Sequence, residues 1–226
     1  SESVTLVDFA EDLRAVVRFL GDRKGVDRKR IAVVGHGEGG AVALLAAAKE
    51  DRIAAVVLAG TSGVPGTESN LWLIRHSLDR AGRPEEERQA TLALQNRIQQ
   101  AVLTGTGWEG ISPAVRRQAE TSLFKSALEF DPAKVVSDVP QPLLVVQGSL
   151  DMQIPPESAD RLDTLAKGRK KGRVSEVTKV PGVNHLLVPA VTGETDEYGT
   201  LPDKKVSGAV GAAISQWLSK VLPAGR

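Results

Sequence analysis

Cysteine is absent from the 226 residues, which excludes disulfides, thiolate chemistry and Cys-ligated zinc. Histidine is scarce. His36, His76 and His185 lie far apart, without the spacing of metal ligands, so no metal site is expected. An excess of one charge is also lacking: 29 Lys and Arg face 28 Asp and Glu, for a net charge of +1. That gives no electrostatic ground for binding nucleic acid or a membrane surface. No apolar run reaches the ~20 residues that cross a bilayer. The longest, Ala41–Ala48, suits a core helix. The opening SESVTLVDFAEDL has no charged-then-apolar order of a secretory signal. A soluble protein is expected, its compartment (bacterial cytoplasm or secreted) left open.

What is present is ordinary for a globular domain: 41% hydrophobic and 25% charged residues. The length suits one large domain, or one carrying an insertion. Asp8–Leu20 reads as an amphipathic helix with Phe9, Leu13, Val16, Val17 and Leu20 on one face. Apolar runs near 31, 53 and 143 read as buried strands, the second of them buried on both faces, and Val174–Val180 reads as a fourth strand. Between the second and third, the strand–helix alternation stops. Asn70–Ala81, Pro84–Thr104 and Pro113–Phe130 are helical stretches, the last opened by Ser112 and Pro113 as cap and first helical residue. An all-helical insertion over residues 61–140 is what a lid over an active site would look like. Residues 1–60 and 141–226 would form the core. The basic run Lys167–Arg173 reads as a solvated connector, and Val206–Val221 as a closing helix. Strands alternating with helices give a parallel α/β sheet, whose reactive residues gather at the C-terminal strand ends.

The most informative stretch is Ile31–Ala48, IAVVGHGEGGAVALLAAA. It is a strand, a glycine-dense turn and an Ala/Leu-rich helix. Gly35, His36, Glu38 and Gly39 fit G-x-S-x-G, the strand-to-helix elbow that presents a serine nucleophile. Gly37 occupies the place of the serine. Asp151 follows the third strand, where a carboxylate can hold a histidine in one tautomer or simply cap the helix beginning near Pro156. His185 follows the fourth strand, where an imidazole can shuttle a proton or merely pack in a loop. The order elbow, Asp, His is much more specific than any one match. Glu38 is expected to give its backbone N–H to half of an oxyanion hole. His36 reads as a packed neighbour of the elbow, and His76 as surface or insertion packing. Ser62 is a nearby hydroxyl without elbow geometry. Trp72, Trp108 and Phe124 either line an acyl pocket or fasten the insertion to the sheet. Tyr198 borders the cleft or lies in ordinary loop.

With these residues in place, the chain resembles the α/β-hydrolase superfamily. Within it, it is similar to EstD-like bacterial carboxylesterases and acyl-peptidase-like hydrolases with a helical lid. The segments that carry the likeness are IAVVGHGEGGAVALLAAA, IAAVVLAGTSG, PLLVVQGSLDMQIPP and VPGVNHLLVP, and it spans nearly the whole chain. The resemblance implies hydrolysis of a small-molecule ester through an acyl-enzyme without a cofactor, with Asp151 as the acid and His185 as the base.

Two departures modify that expectation. Gly37 supplies no oxygen, so the chain as written is expected to be inactive: a hydrolase whose serine has been replaced, or a non-catalytic relative that binds a small apolar ligand or protein partner under the lid. Asp-nucleophile chemistry on the same fold would need a carboxylate at position 37. In addition, the strands and the second oxyanion N–H that the fold places before the residue 8 helix are expected on a preceding segment or a second chain, which would complete the sheet.

Overall fold

The computed structural model describes residues 3–172 and 174–223. β1 (Ala32–His36), β2 (Ala55–Ala59), β3 (Leu143–Leu150) and β4 (Ser175–Asn184) form one parallel sheet in the order β1-β2-β3-β4. The three apolar runs of the sequence and Val174–Val180 thus become the four strands. Every residue of β2 is buried, as are the first six of β3. Helices cover both faces there, so neither strand needs a polar side.

The period-2 geometry of a strand divides β2 between two cores. Val56 and Leu58 enter one with Leu143 and Val145 of β3. It also receives Ala10 and Val17 of α1 (Leu6–Gly21), Leu44 and Ala47 of α2 (Glu38–Ala47) and Leu162 of α8 (Ser158–Lys167). Ala55, Val57 and Ala59 enter the other, with Val210 and Trp217 of α9 (Gly208–Val221). Burying a side chain such as Leu44 or Leu58 contributes about 1.5–3 kcal/mol each.

Between β2 and β3 run α3 (Gly66–Arg80), α4 (Glu85–Thr104), α5 (Pro113–Ala119), α6 (Ser122–Glu129) and α7 (Pro132–Val136). α4, α5 and α6 gather a third cluster around Ile98, Val102, Trp108 and Leu128. α7 instead sends Val136 into the first core. The expected stretch Pro113–Phe130 is two helices. Glu120, at φ −78° and ψ 62°, leaves the helical region, and the Thr121 hydroxyl restarts the chain by accepting the Phe124 N–H at 3.1 Å. The Ser112 hydroxyl caps α5 as the sequence indicated, accepting from Val115 N at 3.3 Å.

Two expectations are corrected. α1 does not bury Phe9 and Val16, which are 43% and 52% exposed. Its inward stripe is Leu6, Ala10, Leu13, Val17 and Leu20, because small Ala10 is the residue that fits against the first core. Nor is the basic run wholly solvated. Arg169 is buried and donates to the carbonyls of Ala166 (2.7 Å), Val139 (2.5 Å), Gln141 (2.9 Å) and Val174 (3.2 Å). It joins the end of α8 to the approaches of β3 and β4, and burial pushes its pKa down. Arg173, the last residue of that run, lies outside the described residues.

Candidate active site

β1, β3 and β4 each end at the same rim of the sheet, and each delivers one candidate residue there. At the end of β1 the chain reverses into α2 within one residue. Gly37 sits at φ 56° and ψ −123° and donates its N–H to the Ala59 carbonyl at 2.9 Å. The turn can be this tight only because Gly35 lacks a side chain: a Cβ there would run into the Gly39 and Gly40 backbone.

At the end of β3, the Asp151 side chain is fully buried. Its Oδ1 accepts the Gln153 N–H at 3.1 Å, and its two oxygens lie 3.1 and 3.0 Å from His185 Nδ1. The alternative role as a helix cap does not hold, since the residue at the start of α8 is Glu157. A carboxylate only accepts, so Nδ1 carries the proton and Nε2 keeps its lone pair. That lone pair belongs to the atom nearest Gly37: a Cβ built on Gly37 would stand 3.4 Å from Nε2. The structure therefore brings together three residues remote in the chain, Gly37 and Asp151 being 114 positions apart (151 less 37) and Asp151 and His185 34 apart.

His185 is held by its turn. Buried Asn184 accepts the Val188 N–H through Oδ1 at 3.2 Å, and the Leu187 N–H returns to the Asn184 carbonyl at 3.0 Å. Leu187 adopts φ 62° to close it, a conformation that costs a branched residue free energy.

Two residues that the sequence reading did not place in the site belong to its frame. Gly60, at φ 55°, lies against the His–Asp pair. A Cβ there would come within 3.2 Å of Asp151 Oδ2 and 3.3 Å of His185 Nδ1. The signal that would have found it is its position immediately after β2, among three other strand ends. His36 is more than a packed neighbour. Its Nε2 lies 2.7 Å from the His185 carbonyl, and the two rings are 4.9 Å apart.

A cavity of about 320 Å³ opens beside Gly37 and His185. Its walls are largely apolar, with Leu73 of α3, Phe124 and Leu128 of α6, Phe130 and Ile154. Glu38 lines it as the first residue of α2, where a backbone N–H has no acceptor within the helix. The Glu38 side chain is exposed. Ser62 lies in the wall with its hydroxyl turned to the Val64 carbonyl at 3.3 Å. Of Trp72, Trp108 and Phe124, Phe124 lines the cavity. Trp108 is buried in the α4–α6 cluster, in the loop after α4, and Trp72 stacks on His76 at 5.1 Å. His76 Nε2 reaches Glu194 at 3.0 Å, linking α3 to the loop before the 3₁₀ turn Thr195–Gly199. Tyr198, on that turn, accepts from Gln153 Nε2 at 2.8 Å.

The sequence model described as the Alpha/beta hydrolase family matches residues 1–195. No curated protein matches the chain. Among solved structures, DcsB in complex with its substrate analogue is similar with a TM-score of 0.57 at 18% identity, over 99% of this chain and 75% of that one. The acetyl xylan esterase of Paenibacillus sp. R4 is similar with a TM-score of 0.53 at 14% identity, over 94% of this chain and 52% of that one. Dipeptidyl peptidase 4 of Porphyromonas gingivalis is similar with a TM-score of 0.54 at 14% identity, over 96% of this chain and 23% of that one. At these identities the likeness is one of fold.

Proposed function

The chain belongs to the Alpha/beta hydrolase family, and from that premise we propose that it is the frame of a serine-type carboxylic-ester hydrolase whose nucleophile position is held by Gly37. The observation that carries this is the alignment of Asp151, His185 and Gly37 beside an apolar cavity. In such a frame the hydroxyl of a serine at position 37 gives its proton to His185 Nε2 as it attacks the ester carbonyl. Asp151 stabilises the imidazolium, and the Glu38 N–H faces the oxyanion. With glycine there, no acyl-enzyme forms, and turnover is expected several orders of magnitude below that of a full triad.

The helices α3–α6, of which α3 and α6 meet the cavity through Leu73, Phe124 and Leu128, act in this reading as a lid that shapes the acyl site. The outer side of β1, which pairs with no strand among the described residues and where Val34 is 52% exposed, is proposed to pair with a further strand from another segment or a second chain, since bare edges invite pairing.

The test is the Gly37→Ser variant assayed with short acyl esters. It is expected to turn them over, and Gly37→Ser/His185→Ala is not. Equal rates for the two variants would contradict the reading.

The apolar wall of the cavity favours one second reading, a non-catalytic binder of a small apolar ligand. It expects the unsubstituted chain to bind a medium-chain fatty acid measurably by calorimetry, and the encoding gene to carry no serine codon at position 37. A serine codon there would end it.

A further inference from the structure

One side of α3 forms part of the cavity wall. Gly66, Ser69, Asn70 and Leu73 all line it, and their spacing of three and four residues puts them on one face of the helix. Asn70 also reaches α4. Gln95 Nε2 donates to Asn70 Oδ1 at 2.8 Å, and Gln99 Nε2 does so at 2.9 Å. The orientation of the Asn70 amide is fixed by a further bond. Gln99, 2% exposed, also gives its Nε2 to the Thr67 carbonyl at 3.2 Å. A carbonyl only accepts, so the Gln99 atom is the nitrogen, and the Asn70 atom facing it is the oxygen. Asn70 Nδ2 therefore lies on the side of the amide away from those two contacts. It has no hydrogen-bond partner among the described residues, and it is not one of the side-chain nitrogens sealed from solvent. A donor with two N–H groups is thus left over at a wall built largely from Leu73, Phe124, Leu128 and Ile154.

The rest of the wall does not duplicate this group. The Ser62 hydroxyl turns to the Val64 carbonyl at 3.3 Å, and Gln153 Nε2 donates to Tyr198 at 2.8 Å. Ser69 brings a hydroxyl, which serves as donor or acceptor alike, whereas an amide nitrogen only donates. Among the described residues no Lys or Arg lines the cavity, so nothing there recognises an anionic tail. Resting on the esterase reading, we propose that Asn70 is a specificity-determining residue whose Nδ2 receives a neutral acceptor oxygen, a keto or ether group, on the acyl chain. The preferred substrates are then short- or medium-chain esters of keto or alkoxy acids, since a cavity of about 320 Å³ is at the small end for ligand sites. A plain alkyl chain displaces water from the amide and returns no bond, and that unmade hydrogen bond separates the two kinds of ester. Gln95 and Gln99 act as positioning residues, because they fix which end of the Asn70 amide is left for the ligand.

The experiment is calorimetry on the unsubstituted chain, which has no nucleophile at position 37 and so leaves an ester intact during the titration. The probes are methyl octanoate and its oxo analogues, with the keto group moved one carbon at a time along the chain. At one position the keto ester is expected to bind roughly tenfold more tightly than methyl octanoate, about what one well-formed hydrogen bond supplies. Asn70→Asp keeps an oxygen for both glutamines and replaces the donor with an acceptor. It should lose the gain of the keto ester yet keep that of the hydroxy ester at the same position, because a hydroxyl can donate to the carboxylate. Asn70→Ala, with neither group, is the second variant and should bind keto and parent esters equally tightly. A merely structural role for Asn70 would weaken all the esters alike. The inference is overturned if no keto position binds more tightly than the parent, or if keto and hydroxy esters lose equally in Asn70→Asp. Gly37→Ser is assayed alongside with methyl octanoate, with and without His185→Ala. If it hydrolyses the ester through His185 while no keto position gains, this inference falls and the esterase reading stands. If Gly37→Ser is inert, the esterase reading fails and takes the inference with it.

Discussion

His185 Nε2 stands 3.4 Å from the point where a side chain on Gly37 would begin. The ring is held by Asp151 on Nδ1, and His36 Nε2 lies 2.7 Å from the His185 backbone carbonyl. In the proposed reading a serine side chain at position 37 would meet His185 Nε2.

Placing a serine at position 37 has a cost in stability. Gly37 adopts φ 56° and ψ −123°, where any residue with a Cβ is strained by about 1–3 kcal/mol. Gly37→Ser is therefore expected to lower the unfolding free energy by roughly that amount, read from the midpoint of a urea titration. An unchanged or raised midpoint would mean that the elbow is not held in this conformation in solution.

Gly60 offers a test of the pair itself. An alanine there would place its Cβ 3.2 Å from Asp151 Oδ2 and 3.3 Å from His185 Nδ1, on a backbone at φ 55°. Gly60→Ala in the Gly37→Ser background should lower kcat by roughly 10-fold or more through displacement of the ring, since small misplacements are costly. Activity equal to that of Gly37→Ser alone would show that the imidazole is not where it is described.

The loop after His185 carries its own pH dependence. The Glu197 carboxylate accepts the Thr192 hydroxyl at 2.6 Å and the N–H groups of Val191, Thr192 and Gly193 at 2.7, 2.9 and 2.8 Å. These bonds, the Thr192 hydroxyl first, hold its pKa down at about 2 from the usual 4.5. A carboxyl lowered on folding stabilises the fold above its unfolded pKa, and that contribution fades as pH falls toward the folded one. The thermal midpoint of the unsubstituted chain should therefore fall more steeply than that of Glu197→Gln between about pH 4.5 and 2. Parallel curves would contradict this.

Much of the fold was legible because β2 and most of β3 are buried on both faces and β1 opens as a short apolar run. IAVV, IAAVVLA and LLVVQ read as strands without any structure, and the elbow announced itself through glycines that close packing requires. Asp151 and His185 were legible by their positions just past such strands. The α1 face was not. Two stripes were available on that helix, and the larger side chains of Phe9 and Val16 outweighed Ala10, whose fitness lies in being small. Arg169 was read as solvent-facing because a run of cations gives no sign of which one meets four carbonyls. Gly60 and the His36–His185 contact depend on how strand ends lie side by side, which no local pattern encodes. The break between α5 and α6 had a visible signal in Thr121, a residue suited to capping, but no glycine or proline to mark it.

The central claim is that position 37 faces a competent base in an esterase frame. Its most direct measurement is the mass of the Gly37→Ser variant after exposure to a serine-directed fluorophosphonate, with peptide mapping. The account predicts one adduct on the peptide containing position 37, its rate falling by roughly 10²-fold or more when His185→Ala is added, as loss of a general base implies. No adduct at that position, or one formed equally fast without His185, would contradict it.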